Sequence, residues 1–192
     1  MLDKTLQITK YKTKKIPNLE TIENILRDNG IVKIQPEEEV KVMFTDFDDP
    51  YNDKFNDIII NMYGDGLGDI IRFNFRLDIK KINKNILKHK FVKYCKANNI
   101  DIKNINKQRK NEIIENLYFN EVKITQPEIK SIEVLYQFNT QTIYFFNNNK
   151  KHNDFFVDFF NKAFDENIYP VIPFILAEEV FDENTISTIK PI

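Results

Sequence analysis

The stretch that decides the fold is residues 70–96, IIRFNFRLDIKKINKNILKHKFVKYCK, because the spacing of its apolar residues changes from strand-like to helical. In its first part every second residue is apolar, and these residues are Ile71, Phe73, Phe75 and Leu77. This period of two predicts a β-strand with one face in the core. The opposite face is predicted to be exposed, and it carries Arg72, Asn74 and Arg76.

The second part of the stretch predicts an amphipathic helix. Asn83 is suited to cap its N-terminus, and an apolar stripe at helical spacing consists of Leu87, Phe91, Tyr94 and Cys95. A second helix is predicted from Lys107 to about Phe119, with inward-facing Ile113, Ile114 and Leu117. The two helices together predict a protruding helical hairpin with basic outer surfaces.

Outside this stretch, the pattern predicts further strands and helices in both halves of the chain. Strands are expected at residues 2–15, 40–47, 58–63, 132–137 and 142–146, with turns at residues 64–68 and at Asn139. Residues 169–175 contain two prolines and are expected to form an edge strand or an irregular segment. A helix capped by Asn18 is expected to end at Gly30, which tolerates a positive φ. Another helix, starting at Asp154, is expected to pack five phenylalanines into the core: Phe155, Phe156, Phe159, Phe160 and Phe164. We therefore expect an α+β fold of antiparallel sheets with packed helices.

The chain is expected to divide into four regions. These are an N-terminal α+β region at residues 1–78, the basic helical hairpin at 79–120, a β-hairpin with the Phe-rich helix at 121–176, and an acidic tail at 177–192. The regions could form one compact unit or two intertwined subdomains, since 192 residues suffice for one sizeable core or two small ones.

Charge is distributed very unevenly along the chain. The stretch from Lys80 to Lys110, called the basic segment below, contains eleven Lys and Arg residues and one acid, Asp101. Its formal charge is +10, whereas the whole chain is −1, so the remaining 161 residues carry −11. Clustered Lys and Arg attract polyanions whatever the net charge. Nucleic acid is the partner that this pattern favours.

We predict a nucleic-acid-binding surface formed by the basic segment and two arginines of the preceding strand. Its residues are Lys80, Lys81, Lys84, Lys88, Lys90, Lys93, Lys96, Lys103, Lys107, Arg109 and Lys110, with Arg72 and Arg76. Lysine ammonium groups neutralise backbone phosphates, whereas base readout favours Arg, Asn and Gln. Because the basic segment has one arginine among ten lysines, binding without sequence preference is expected.

Two alternatives to nucleic-acid binding remain open at this point. The chain could be a phage or host accessory module whose basic helices dock an acidic protein or the acidic part of a second copy, which predicts a homo-oligomer such as a dimer. It could also be a metal-dependent nuclease that uses Asp46, Asp48, Asp49 and Asp53. A solvated turn is the more usual role of such an acidic stretch.

Other features predict a non-enzymatic cytoplasmic protein. The glycines of residues 64–68 lack the Gly-Lys-Ser/Thr of a phosphate loop, and His89, His152 and Cys95 have no partners at catalytic or ligand spacing. We therefore expect no catalytic residue, cofactor or metal. A single cysteine is typical of a reducing compartment, and no apolar run is long enough to span a membrane or to form a signal peptide. A bacterial protein of this kind would associate with the nucleoid.

The order of these parts resembles the recombination-associated protein RdgC family. The similarity covers residues 72–164 and rests on residues 75–77 before the basic helix, on the helix at 107–117 with its Arg109, Lys110 and Glu112, and on the strand at 143–146 before the Phe-rich helix. The resemblance implies binding of double-stranded DNA without sequence preference and a ring-shaped dimer that restrains recombinase filaments. A shortened and divergent relative, of phage or mobile-element origin, is one form that this resemblance could take.

Overall fold

A computed structural model describes residues 7–14, 17–55, 59–62, 68–137 and 140–171 of the chain. Several sequence predictions lie outside these residues: the start of the first strand, the glycine turn at 64–67, the turn at Asn139, the end of the last strand beyond 171, and the acidic tail at 177–192.

The described residues form four helices and seven strands, which confirms the α+β fold. In chain order they are β1 Thr9–Lys12, α1 Leu19–Asp28, β2 Val40–Thr45, β3 Ile59–Met62, β4 Gly68–Ile79, α2 Lys84–Ala97, α3 Lys107–Ile124, β5 Glu128–Gln137, β6 Thr142–Phe145, α4 Lys150–Phe164 and β7 Tyr169–Pro170. The strands belong to one sheet with the order β2-β4-β5-β6-β1-β7, and β3 pairs with β4. The β5–β6 pair is an antiparallel hairpin, with Val134 opposite Phe145, and β1 pairs antiparallel with β6, with Thr9 opposite Phe145.

The chain forms two compact units, each built from separate stretches of sequence. Unit 1 comprises residues 1–31, 43–75 and 131–192, and unit 2 comprises residues 32–42 and 76–130. The chain passes from one unit to the other within β2, β4 and β5.

Aromatic rings fill the core of unit 1. The ring of Phe156 on α4 stacks on Phe145 of β6 with 4.3 Å between centroids, and Phe44 of β2 meets the edge of Phe73 at 5.2 Å. Phe156 is fully buried. Of the five phenylalanines predicted to lie in the core, three are buried, Phe156, Phe160 and Phe164, whereas Phe155 and Phe159 are half-buried, so the prediction is confirmed in part. The helix begins at Lys150 and not at Asp154, because the side chain of Asn149 caps it by accepting the N–H of His152.

Strand β4 differs from its predicted pattern of one buried and one exposed face. Its apolar residues are buried as expected, but Asn74 and Arg76 on the other face are also only 4% and 8% exposed. The amide of Asn74 donates hydrogen bonds of 2.7 Å to the backbone oxygens of Asp46 and Phe47. The prediction of an exposed face at Asn74 and Arg76 is therefore wrong, because these polar side chains find hydrogen-bond partners inside the protein.

Helix α1 has the predicted N-terminus, but its C-terminus differs. Asn18 caps the helix by accepting the N–H of Thr21 at 2.8 Å. At the other end Asn29 is the capping residue, and Gly30 does not adopt a positive φ. A Cβ atom at Gly30 would lie 3.0 Å from both the Arg27 oxygen and the Asp53 Cβ. Close packing, and not a left-handed backbone, is therefore what disfavours a larger residue at Gly30.

Unit 2 contains the predicted pair of basic helices around a small core. Helices α2 and α3 pack on each other, and three buried residues, Phe91, Cys95 and Ile113, form the centre of the cluster between them. Tyr94 was predicted to belong to the apolar stripe, but its side chain is 41% exposed. Helix α3 extends to Ile124, five residues beyond the predicted end, since Glu121 and Val122 are also buried. That the helix pair protrudes stays a prediction.

Candidate nucleic-acid interface

Eight basic residues of the basic segment are exposed on unit 2, and none of them forms an ion pair within the part of the chain that the structure describes. These residues are Lys84, Lys88, Lys93, Lys96, Lys103, Lys107, Arg109 and Lys110. The Nζ of Lys110 lies 5.9 Å from the ring centre of Phe91. Exposed cations without carboxylate partners can contact phosphate groups without first breaking an internal ion pair.

The eight cations are distributed around the two helices. Lys84 and Lys88 are one turn apart and share a face of α2, whereas Lys93 lies about 140° around the helix from Lys88. Lys107, Arg109 and Lys110 belong to the first turn of α3, which contains no acidic residue. Cations at a helix N-terminus meet the positive end of the helix dipole, so an anion bound there would relieve an unfavourable interaction.

Two further lysines of the predicted surface are exposed or half-exposed but paired. Lys81 contacts the carboxylate of Glu128, and this hydrogen bond lowers the pKa of Glu128. Lys90 contacts Glu121, whose side chain is 10% exposed. These two lysines therefore offer less of their charge to a ligand than the eight unpaired cations do.

Lys80 is buried and is used within unit 2. It is 7% exposed, and its Nζ donates hydrogen bonds of 2.9 and 2.7 Å to the backbone oxygens of Gln35 and Pro36. An ammonium group held in this way ties residues 35–36 to the end of β4. The structure thus places Lys80 away from any phosphate-binding surface.

The two predicted arginines of β4 also have partners within the protein. Arg76 forms a buried, two-bond contact with Asp78, at 2.7 Å from Nε and 2.9 Å from the terminal nitrogen. In unit 1, Arg72 pairs with Asp48 at 3.2 Å and lies over the ring of Phe47. Arg76 is therefore not available to a ligand, while Arg72 is partly exposed and already paired.

The acidic stretch considered for a metal site forms a turn. The Oδ1 atom of Asp46 accepts the N–H groups of Asp48 at 3.0 Å and Asp49 at 3.1 Å, and Asp49 in turn accepts the N–H of Tyr51. Within the described ranges, no group of three or more His, Cys, Asp or Glu residues is placed to hold a metal ion. The carboxylates of Asp46 and Asp49 stabilise the turn, whereas that of Asp53 accepts the N–H of Ile31 at 3.2 Å.

Unit 2 also has an apolar groove that the sequence patterns did not predict. It has a volume of about 500 Å³, and its rim carries Lys84, Lys88 and Lys110. Val92 and Ile102 in its wall are 40% and 41% exposed. The only sequence signal was that both residues are apolar but lie off the predicted stripe, and such single exposed apolar residues are common on protein surfaces.

No protein-family model matches this chain, and no match is found among curated proteins. No helix among the described residues is both long and apolar enough to cross a bilayer.

Proposed function

We propose that this protein binds nucleic acid, preferably double-stranded DNA, through the basic helices of unit 2 and without sequence preference. The observation that carries the proposal is the set of eight exposed cations with no ion pair in the described part of the chain. We further propose a non-enzymatic, cytoplasmic protein that self-associates and modulates recombination. The preference for duplex DNA and the role in recombination rest on the resemblance to the RdgC family.

Electrostatics would supply most of the affinity. Each phosphate neutralised by a lysine releases condensed counterions, so the logarithm of the affinity falls linearly with the logarithm of the salt concentration, by about 0.9 per phosphate on duplex DNA. Among the eight unpaired cations only Arg109 has the planar side chain suited to reading guanine edges in two hydrogen bonds. Contacts made mainly by lysines bind the phosphate backbone and do not discriminate between base sequences.

The test is a binding titration of a fluorescently labelled duplex across a salt series. The decisive variant replaces Lys84, Lys88, Lys93 and Lys96 with Glu, because all four side chains are exposed and unpaired in the described structure. A matched control replaces four exposed lysines outside the basic segment with Glu: Lys33, Lys54, Lys150 and Lys162. Both variants change the formal charge equally, so a general repulsion from DNA would affect them alike.

We expect the first variant to lose binding at least a hundredfold at low salt and the control variant to lose much less. The salt slope of any residual binding should fall by at most about 3.6, which corresponds to four phosphate contacts. Absence of duplex binding by the wild type at low salt, or equal losses in the two variants, would refute the proposed interface. Unlabelled single strands and RNA as competitors then test the preference for duplex DNA.

A further inference from the structure

The apolar groove of unit 2 is not explained by binding to a phosphate backbone. Its floor is formed by side chains of α2 and α3, including Leu87, Phe91 and Ile114, and the exposed Val92 and Ile102 border it. Apart from the lysines at the opening, the lining is apolar, so hydrogen-bonding groups for the edges of a nucleobase are confined to the rim of the groove. An occupant with large apolar side chains fits the floor better.

The rim of the groove restricts the occupant further. Lys84, Lys88 and Lys110 line the opening, and none of them contacts a carboxylate within the described ranges. Three unpaired ammonium groups around an apolar floor complement a ligand that combines apolar side chains with carboxylates at its edges. An acidic peptide segment rich in Phe, Leu, Ile or Val has this chemistry.

The chain itself contains one such segment, which we call the tail segment. It comprises residues 174–183, FILAEEVFDE, and lies outside the described residues. Five of its ten residues are large and apolar, four are acidic and none is basic. The acidic run at residues 37–39 is a weaker match, because Glu38 already pairs with Lys41 and Glu39 accepts a hydrogen bond from Tyr118.

We infer that the apolar groove of unit 2 binds the tail segment of a second copy of this chain. The four carboxylates of the tail segment face the three rim lysines, while its phenylalanines and aliphatic side chains cover Val92 and Ile102. If each of two copies inserts its tail segment into the groove of the other, the result is a two-fold symmetric dimer in which both grooves are occupied. The inference does not depend on the proposed DNA binding.

Self-association of the full chain, measured by sedimentation velocity across a salt series, tests the inference. We expect a dimer at low salt that dissociates as salt screens the lysine–carboxylate contacts. A groove variant, Val92→Ser with Ile102→Ser, should weaken the dimer at least about tenfold, as is typical when apolar contacts at the centre of an interface are removed. A matched control, Ile86→Ser with Ile124→Ser, changes two exposed isoleucines of unit 2 outside the groove and should leave the dimer intact.

A tail variant allows a complementation test. Phe174→Ser with Phe181→Ser should also weaken the dimer at least about tenfold on its own. Mixing the tail variant with the groove variant combines one intact groove with one intact tail segment, so the mixture should form heterodimers more readily than either variant forms homodimers. Lys84, Lys88 and Lys110 belong both to the groove and to the proposed DNA interface. Duplex binding is therefore compared at a protein concentration too low for dimers to form, where every variant should match the wild type within about twofold because every lysine is retained. This separates failure of the inference from failure of the proposed function.

Three outcomes would overturn the inference. A wild-type chain that is monomeric at low salt, including one whose tail segment occupies its own groove, has no such dimer. A control variant that weakens association as much as the groove variant places the contact elsewhere on unit 2. A mixture of groove and tail variants that associates no better than the separate variants shows that groove and tail segment are not partners.

Discussion

The two compact units use their apolar side chains in different ways. Unit 1 stacks and interlocks phenylalanine rings around α4, and the rings of Phe145, Phe156 and Phe160 are almost completely buried. Unit 2 centres on Phe91, Cys95 and Ile113, and it holds seven of the nine large apolar side chains that are exposed among the described residues. Unit 1 therefore buries nearly all of its described large apolar side chains at least in part, whereas unit 2 leaves several of them on its surface.

The largest effect is expected in the aromatic core of unit 1. Phe156→Ala should lower the free energy of unfolding by about 3 to 5 kcal/mol, because it removes a ring that contacts four neighbouring rings and leaves a cavity. Phe119→Ala in unit 2 is the matched control. Phe119 is 49% exposed, so its loss should change stability by no more than about 0.5 kcal/mol. Urea unfolding measures both, and similar losses would remove the distinction between the units.

A smaller effect is expected from the ion pairs of unit 2, which divide into buried and exposed ones. Asp78→Ala should destabilise the protein by about 3 kcal/mol, because Arg76 would keep a buried charge without this carboxylate. Glu128→Ala breaks the exposed pair with Lys81 and should change the unfolding midpoint very little, since water solvates both groups. If the two substitutions shifted the urea midpoint equally, burial would not be what makes the Arg76–Asp78 pair important.

The sequence patterns predicted the helices and strands with clear periodicity, but not the burial and partners of individual polar residues. Alternation at residues 71–77 and the asparagine caps of α1 and α2 are local signals, and the structure confirms both. Arg76 was predicted to be exposed because it lies on the polar face of an alternating strand, and Lys80 because it belongs to the basic segment. Asp78 lies two residues from Arg76 on the same strand face, so the spacing permits their pairing but does not show that the pair is buried. The backbone oxygens of residues 35–36 that hold Lys80 are 45 and 44 residues away in sequence, and no local pattern reveals them.

In the candidate site, too, local patterns predicted the exposed residues but not the contacts between elements. Lys84, Lys88, Lys93 and Lys96 were predicted to belong to a basic surface, and all four are exposed. The apolar groove could not be predicted, because it forms only where α2 meets α3 and the loop at Ile102. Helical spacing specifies which residues share one face of a helix, but not where a second helix leaves a gap beside it.

The smallest expected effect concerns tyrosine ionisation, in which the two units again differ in physical cause. Burial is the main factor that raises the pKa of Tyr11 and Tyr136 in unit 1 to about 12. In unit 2 the pKa of Tyr118 is raised to about 12 chiefly by the 2.7 Å hydrogen bond that its hydroxyl donates to Glu39. A raised pKa means that the neutral phenol is favoured by folding, so this contribution to stability is complete below pH 10 and is lost as the pH rises towards 12.

Glu39→Ala should therefore lower the pKa of Tyr118 towards 10 and leave Tyr11 and Tyr136 unchanged, because only Tyr118 depends on that carboxylate. Tyrosinate absorbance during an alkaline titration checks this, with Tyr118→Phe identifying the affected group. Glu37→Ala, which removes a neighbouring exposed carboxylate, is the control and should leave the titration unaltered. If the pKa of Tyr118 is unchanged in the Glu39 variant, burial controls tyrosine ionisation in both units. The two units would then not differ in the cause of the raised tyrosine pKa.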